Sequence, residues 1–285
     1  MYRKARGQSR AVQRLNVWDI LGYLIIALLT LLCFAPFYMM FINATHENSL
    51  INSTFQVLPG RYLAHNYMRF TTVASVWRGL YNSAFIAVLT TLGAVYVSGL
   101  TAYGFAKYRF RLNGGLFWVL LATMMLPAQL GVIGVFQLMT SLKLLDSHFA
   151  LIIPACANAG AVFFIRQYII GYFPDSLMES GRIDGCGELR IFHQIGLPII
   201  APALATQAIF IFIGAWNNFI GPLILLFSAS KFPMPILIQQ MTGSMGQDMG
   251  VIYLGVSISV IPILLAFAVC SRFILRGLTV GAVKG

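Results

Sequence analysis

The chain has 285 residues, of which 59% are hydrophobic and only 9% are charged, and its formal net charge is +11. A soluble globular domain carries about 25% charged residues, so the composition excludes that class and indicates an integral membrane protein. The positive charge, which in a soluble protein would suggest nucleic-acid binding, here helps to assign each loop to one side of the membrane.

Six apolar segments are long enough to cross a bilayer, whose hydrocarbon core requires about 20 residues of helix. They lack the alternating pattern of a transmembrane β-barrel, so we expect an all-α protein with six transmembrane helices within residues 20–276. In chain order the predicted spans are Ile20–Ile42, Leu80–Gly104, Leu116–Met139, Phe149–Ile170, a segment within Ile199–Phe227, and Val251–Ile274.

The distribution of basic residues predicts the orientation. Fourteen of the 19 Lys and Arg residues lie on one side of the predicted spans, and by the positive-inside rule this side is cytoplasmic. Both termini, a basic tail (1–19) and a short tail (277–285), are then cytoplasmic. Three extracytoplasmic loops remain, and two of them are long. Residues 43–79 should contain short elements of their own, and the Met- and Gly-rich residues 228–250 are predicted to be flexible.

A polar segment, residues 171–198, separates the fourth span from the fifth. Pro174 and Asp175 form a helix-start signal, and the predicted helix ends near Asp184. Gly185 can adopt the left-handed conformation that ends a helix. A second short helix is expected at Glu188–Ile195, stopping at the sequence Gly-Leu-Pro that follows. These residues fit either an ordinary amphipathic connector or a rigid helix pair that docks into a soluble partner.

One motif in this segment resembles the cytoplasmic signature of importer-type ABC permeases. Three residues separate Glu179-Ser180-Gly181 from Gly185, and nine residues separate Gly185 from Ile195-Gly196-Leu197-Pro198. The family pattern is E-A-A, three residues, G, nine residues, I-x-L-P, so only the two Ala positions differ, and both hold small residues here. Further likeness to the carbohydrate-uptake (maltose-type, MalG-like) permeases lies in "TAYGFAKYRFR" (101–111), "MLPAQLGVIGVFQLM" (125–139), "FFIRQYIIGYFPDSLMESGRIDGCGE" (163–188), "GAWNNFIGPL" (214–223) and "RGLTVGAVKG" (276–285).

The resemblance implies a six-helix, MetI-like permease in the plasma (inner) membrane of a prokaryote. It implies three kinds of protein partner besides membrane lipid: a second, different permease subunit, a pair of cytoplasmic ABC ATPase subunits, and an extracytoplasmic sugar-binding protein; no nucleic acid is expected. The substrate implied is a sugar, with an oligosaccharide favoured. ATP and Mg would be bound by the ATPase subunits, and this chain would bind no cofactor.

The resemblance also assigns roles to particular residues. The ATPase-coupling residues would be Glu179, Ser180, Gly181, Arg182, Asp184, Gly185, Gly187, Ile195, Leu197 and Pro198. The loop at 228–250 would contact the binding protein, and a C-terminal tail with Gly281, Lys284 and Gly285 would reach the ATPase interface.

Polar and aromatic residues inside predicted spans are candidates for the translocation path. They are Gln207, Trp216, Asn217 and Asn218, and the alternative is that they form hydrogen bonds between helices. An ion-coupled secondary transporter is the competing function, although no internal repeat or intramembrane carboxylate is evident. The chain has no G-x-x-x-x-G-K-[ST] loop, and its Cys and His residues lack metal-ligand spacing, so neither an ATPase nor a metalloenzyme is expected.

Overall fold

A computed structural model describes residues 16–73, 75–244 and 248–282, with the backbone alone described after residue 268. All regular secondary structure in these ranges is helical. The α-helices are α1 (Val17–Asn43), α2 (Asn48–Ser53), α3 (Leu63–Val73), α4 (Val76–Lys107), α5 (Asn113–Met124), α6 (Gly131–Ser141), α7 (Phe149–Ala155), α8 (Ala159–Tyr172), α9 (Asp175–Ile183), α10 (Glu188–Ile191), α11 (Leu197–Trp216), α12 (Ile220–Leu225), α13 (Met234–Ser244) and α14 (Met249–Ala282).

Five helical stretches in the described part of the chain are long and apolar enough to cross a membrane. They are Val17–Asn43, Val76–Lys107, Phe149–Tyr172, Glu188–Trp216 and Met249–Ala268. Each corresponds to one predicted span. The all-α membrane class is therefore confirmed, whereas the count of six spans and the cytoplasmic position of the termini stay predictions.

The third predicted span, Leu116–Met139, is not one helix. It is divided into α5 and α6 with a 3₁₀ turn, Ala128–Leu130, between them. Pro127 explains the break, because proline has no backbone N–H and its ring clashes with the preceding turn of a helix. Neither α5 nor α6 alone reaches the length of about 20 residues that a span requires.

Two more interruptions lie inside predicted spans. Residues 156–158 separate α7 from α8, and residues 217–219 separate α11 from α12. At the first, Asn158 caps α8, since its side-chain Oδ1 accepts a hydrogen bond from the Ala161 N–H at 2.9 Å. Backbone polar groups freed at such breaks need partners inside the protein or a solvated cavity.

The loop at 43–79 contains two helices, α2 and α3, as its length predicted. Asn66 fastens it, because its buried amide donates hydrogen bonds to the carbonyls of Ala44 (3.0 Å) and His46 (2.9 Å). This side of the protein is thus an ordered cap on the bundle.

The prediction that 228–250 is flexible is wrong for most of its length. The segment forms α13, whose Met234 and Met241 are 0% and 1% exposed. The Met234 N–H donates to Ser83 Oγ at 2.9 Å, and Asn82 donates to the Phe232 carbonyl at 3.1 Å. Methionine fills gaps in a core as readily as it serves in a mobile loop, which is why composition misled here.

Asp146 joins the turn before α7 to the turn after α12. It adopts a positive φ of 56°, and its carboxylate accepts hydrogen bonds from the N–H groups of Phe227 and Ser228, both at 2.9 Å. The Ser228 hydroxyl donates at 2.5 Å and Lys231 Nζ lies 2.9 Å away. These donors hold the pKa of the Asp146 carboxyl well below its usual range, with Ser228 the largest cause.

The core comprises two apolar clusters, one at each end of the bundle. One surrounds Phe70, Met139 and Met234, and the other surrounds Ile165, Ile191 and Phe192. The long helices α4 and α11 pack against each other within the second cluster. The outer faces of the long helices expose large apolar side chains, as lipid contact requires.

The predicted tails fall largely outside the described residues. Of the basic tail at 1–19, residues 1–15 are not described, and α1 begins at Val17. At the other end, α14 runs to Ala282, so the helix extends beyond the predicted end of the sixth span near Ile274.

Candidate functional site

The polar segment forms a compact turn, residues 175–188, hereafter the knuckle. Its first helix, α9, begins after Pro174, whose φ of −65° suits a helix start. Asp175 in the first turn places a negative charge at the positive end of the helix. The predicted helix over 175–184 is therefore confirmed to within one residue.

Gly185 ends α9 in the left-handed conformation, with a φ of +77°. The Cys186 N–H donates to the Gly181 carbonyl at 2.9 Å, and the Gly185 N–H donates to the Arg182 carbonyl at 3.0 Å. These two bonds define a Schellman motif, which favours glycine at this position. The sequence prediction of a glycine turn at Gly185 is confirmed.

The inner face of α9 packs on the chain that returns to the membrane. Met178 is 5% exposed, and Gly181 is buried. A Cβ atom built at Gly181 would lie 3.1 Å from Ile195 Cδ1 and 3.2 Å from Ile191 Cγ1. A small residue is therefore needed here because the two limbs of the knuckle approach closely.

The outer face of α9 is exposed and carries Glu179, Ser180 and Ile183. Ile183 is 86% exposed, an unusual position for a large apolar side chain outside the lipid-facing helices. Glu179 has no side-chain hydrogen bond or ion pair with any described residue. Arg182, three residues further along α9, pairs with Glu188: Arg182 Nε lies 2.7 Å from Glu188 Oε1.

A second set of contacts braces the knuckle against the end of α4. Lys107 Nζ lies 2.6 Å from Asp175 Oδ1 and also donates to the Phe173 carbonyl. The Lys107 side chain is only 5% exposed, and its ammonium group holds the pKa of the Asp175 carboxyl below its ordinary value. The start of α9 is thus fixed to the end of α4.

Tyr108 completes the brace by donating a hydrogen bond to Glu188, the carboxylate that also binds Arg182. Burial raises the pKa of the Tyr108 phenol, and the neighbouring Glu188 raises it further. Sequence reasoning missed the structural roles of Lys107, Tyr108 and Glu188. The available signal was a Lys at the end of a long apolar helix, followed by an aromatic residue. Nothing in the neighbouring sequence indicated that these two residues bind Asp175 and Glu188.

The segment that follows the knuckle and leads back into the bundle differs from the prediction, which was a separate helix that stops at Gly196. It runs without a break from α10 through a π-helical turn, Phe192–Gly196, into α11. The Leu197 N–H donates to the Phe192 carbonyl, five residues back. Pro198 was read as a stop, but a π turn relieves the clash between a proline ring and the preceding turn, so the helix continues.

A cavity of about 630 Å³ lies within the bundle, away from the knuckle. The three helix breaks, near Met124, Ala157 and Asn218, all contribute to its wall. Its other polar wall residues are Ser83, Thr90, Thr123, Asn158 and Gln207.

Of the four candidate residues for the translocation path, two line the cavity and one packs between helices. Gln207 and Asn218 line the cavity, whereas Trp216 is 2% exposed and donates its indole N–H to the Ser259 carbonyl at 3.1 Å. Trp216 also stacks on Phe212 with ring centroids 5.8 Å apart. It therefore joins α11 to α14, and Asn217 is exposed without lining the cavity.

Other predicted site residues lie near or beyond the end of the described chain. Gly281 is part of the α14 backbone, while Lys284 and Gly285 lie outside the described residues. Among the described side chains, no group of three or more His, Cys, Asp and Glu residues is placed to hold a metal ion.

A bundle of lipid-facing helices with an internal cavity and an exposed, braced knuckle defines a membrane transport protein. Residues 94–279 match the family of binding-protein-dependent transport system inner membrane components. The chain belongs to this family and is a multi-pass, inner-membrane permease of an ABC importer. Family membership supports this function over ion-coupled transport.

Several known proteins are similar along most of their length. The chain is 36% identical to the arabinooligosaccharides transport system permease AraQ of Halalkalibacterium halodurans, over 76% of this chain and 77% of the relative. It is 30% identical to the lactose transport system permease LacG of Rhizobium radiobacter, over 93% and 96% of the two chains. It is also 30% identical to the sn-glycerol-3-phosphate transport system permease UgpE of Yersinia enterocolitica, over 91% and 95%.

Comparison with solved structures gives the same fold. The chain superposes on one from a bacterial ABC transporter involved in the import of the acidic polysaccharide alginate, with a TM-score of 0.77. The match covers 95% of this chain and 100% of that chain at 22% sequence identity. At that identity it establishes the permease fold.

Proposed function

We propose that this permease imports a sugar and that it is driven by partner ATPase subunits that bind the knuckle. The knuckle places Glu179 and Ile183 on the outer face of a short helix whose inner face is packed and braced. A rigid helix with an unpaired carboxylate and an exposed apolar side chain suits insertion into a cleft that offers a cation and an apolar wall. This exposed, braced face is the observation that carries the proposal.

The proposed assembly contains a second, different permease subunit, a pair of cytoplasmic ABC ATPase subunits and an extracytoplasmic sugar-binding protein, all within or against membrane lipid. ATP and Mg belong to the ATPase subunits, and this chain binds no cofactor and no nucleic acid. Closure of the ATPase pair would move the knuckle, and the bundle would alternate between outward and inward openings. The C-terminal residues Gly281, Lys284 and Gly285 are proposed to reach the ATPase interface.

The substrate proposed is a sugar, with an oligosaccharide favoured, because two of the relatives are named for arabinooligosaccharides and lactose. Gln207 and Asn218, which line the cavity, are proposed to belong to the translocation path. Amide groups suit sugar hydroxyls since each amide offers both donors and an acceptor.

Charge reversal at Glu179 tests the proposal. Glu179→Lys should abolish uptake by whole cells and reduce co-purification of the ATPase subunits at least tenfold, because it places a cation where the proposed cleft offers one. The chain should still insert, since Glu179 has no partner within the described residues and its loss disturbs no packing. Glu179→Gln, which keeps the shape, should have a smaller effect.

Glu47→Lys is the matched control for ATPase association, because Glu47 is exposed at the opposite end and caps α2 without a side-chain hydrogen bond. It should co-purify ATPase subunits as the unsubstituted chain does. Normal uptake and normal association in the Glu179→Lys variant would refute docking through the knuckle.

A further inference from the structure

The cavity has an unusual wall, because three interrupted helices meet there. The wall includes Met124 at the end of α5, Ala155 at the end of α7 and Ala215 near the end of α11. A helix end leaves backbone N–H or C=O groups without intrahelical partners. At each of these three ends, two carbonyls accept hydrogen bonds from the residues that follow the helix, and the end still brings polar backbone to the wall in a region where lipid offers none.

The break at residues 156–158 brings two helix ends to the wall. The C-terminal end of α7, with its partial negative charge, and the N-terminal end of α8, with its partial positive charge, both contribute to the wall. The Asn158 side chain already satisfies one N–H group of α8. Partial charges of both signs therefore border the cavity at this break, so the wall offers donors and acceptors together.

The side chains of the wall also offer both hydrogen-bond donors and acceptors. Gln207 is partly exposed, and its amide makes no hydrogen bond with a described residue. Asn218 is exposed and uses only its Oδ1, which accepts from the Gly221 N–H at 3.2 Å. The hydroxyl of Thr90, which is 3% exposed, has no partner either among the described residues. No Asp, Glu, Lys, Arg or His is among the described residues of the wall.

An anionic ligand would lose its hydration in such a cavity without gaining a cation in return, and that loss is large for an unpaired charge. A hydroxyl group both donates and accepts, so it matches free amides and helix ends of both polarities. The cavity volume of about 630 Å³ is within the range of small-molecule sites.

We infer that this cavity is a subsite for an uncharged, polyhydroxylated sugar unit, with Gln207 and Asn218 as its side-chain ligands, and that it disfavours phosphorylated or acidic sugars. The inference rests on the proposed transport function and deepens it by assigning the charge class of the substrate. Interhelical packing alone would not leave these amides unpaired at a cavity wall.

Cysteine labelling of the assembled importer in membrane vesicles tests the inference whichever sugar the importer carries. Gln207→Cys and Asn218→Cys would each be made in a chain lacking the four native cysteines. Three methanethiosulfonate reagents would be compared: neutral hydroxyethyl, anionic sulfonatoethyl and cationic trimethylammonioethyl. Each labelling rate would be divided by that reagent's rate with mercaptoethanol. Gln137→Cys is the control, since Gln137 is exposed on α6 and does not line the cavity.

At both cavity positions we expect the neutral reagent to react at least tenfold faster than either charged reagent, and at least tenfold faster than it reacts at Gln137→Cys. A charged reagent within threefold of the neutral one would overturn the charge class. Labelling no faster than at Gln137→Cys would overturn the subsite itself. Neither result affects the association of Glu179 variants with ATPase subunits, so the docking proposal would stand or fall separately.

Discussion

Substituting Gly185 tests whether the shape of the knuckle, and not merely its charge, is needed for ATPase binding. A Cβ atom at Gly185 would meet nothing within 4 Å, so any cost of substitution comes from its φ of +77° alone. An alanine in this conformation costs about 1 kcal/mol, and a β-branched valine about 2–3 kcal/mol. We take the strained residue to shift to an unstrained turn of otherwise equal energy, so that the full strain lowers the fraction of molecules with the native knuckle.

The expected loss of affinity follows from the fraction of molecules that keep the native turn. Since 1.4 kcal/mol corresponds to a factor of ten, Gly185→Ala should raise the apparent Kd for the ATPase subunits about fivefold. Gly185→Val should raise it about 30- to 150-fold by the same relation. Binding of purified ATPase subunits to the permease in detergent, followed by biolayer interferometry, measures both values. Gly185→Asn should cost least, because asparagine tolerates positive φ.

Gly187→Val is the comparison that isolates backbone conformation. Gly187 lies two residues away, also has open space around it, and has an extended backbone with φ −70° and ψ 157°. Valine adopts this conformation without strain, so Gly187→Val adds a side chain among the proposed coupling residues without disturbing the turn, and its apparent Kd should rise at least about tenfold less than that of Gly185→Val. The reasoning is refuted if Gly185→Val binds as tightly as the unsubstituted chain, or if both valine variants lose the same affinity.

Two further substitutions test the packing of the bundle. Asp146→Asn should lower the Tm at pH 7, because asparagine tolerates the positive φ but forfeits the charged hydrogen bonds from Ser228 and Lys231. Since the folded pKa of Asp146 is depressed, its stabilisation is complete above the unfolded pKa of about 4 and is lost as the pH falls below it. Trp216→Phe should lower the unfolding free energy by about 2 kcal/mol, by losing the hydrogen bond to Ser259 and leaving a small void.

Both stability predictions have internal checks in differential scanning fluorimetry and in denaturant titrations in detergent. The Tm difference between the chain with Asp146 and the asparagine variant should stay constant from pH 7 to pH 5, and a change in that window would contradict the assignment. Trp77→Phe is the control for Trp216, because Trp77 is 70% exposed. An equal loss of stability in both tryptophan variants would show that the buried indole has no special role.

The apolar runs predicted the class of the protein and five of its long helices, because the length of an apolar segment is a local property. Gly185 was predicted as a left-handed turn for the same reason, since its neighbours define the end of α9. Pro198, however, was wrongly read as a helix stop, and Pro127 was not read as the break that divides the third span. Proline disturbs a helix wherever it occurs, but whether the helix ends or widens depends on what packs around it.

The contacts that the sequence did not reveal are long-range ones. Lys107 and Asp175 lie 68 residues apart in the chain, and Asp146 and Lys231 lie 85 apart. Composition also gave the wrong prediction for residues 228–250. Met234 is buried there because it packs against α4, which is distant in the sequence. The convergence of three helix breaks on one cavity is likewise a property of the folded bundle.

The uninterrupted helical stretch from Glu188 to Trp216 has a mechanical consequence. At about 1.5 Å per residue, its 29 residues form a lever about 40 Å long. One end is anchored in the knuckle, and the other stops where Asn218 borders the cavity. Because the helix continues through its π turn and past Pro202 without ending, a tilt imposed by a moving partner at the knuckle would be carried along it and would reshape the chamber at the far end.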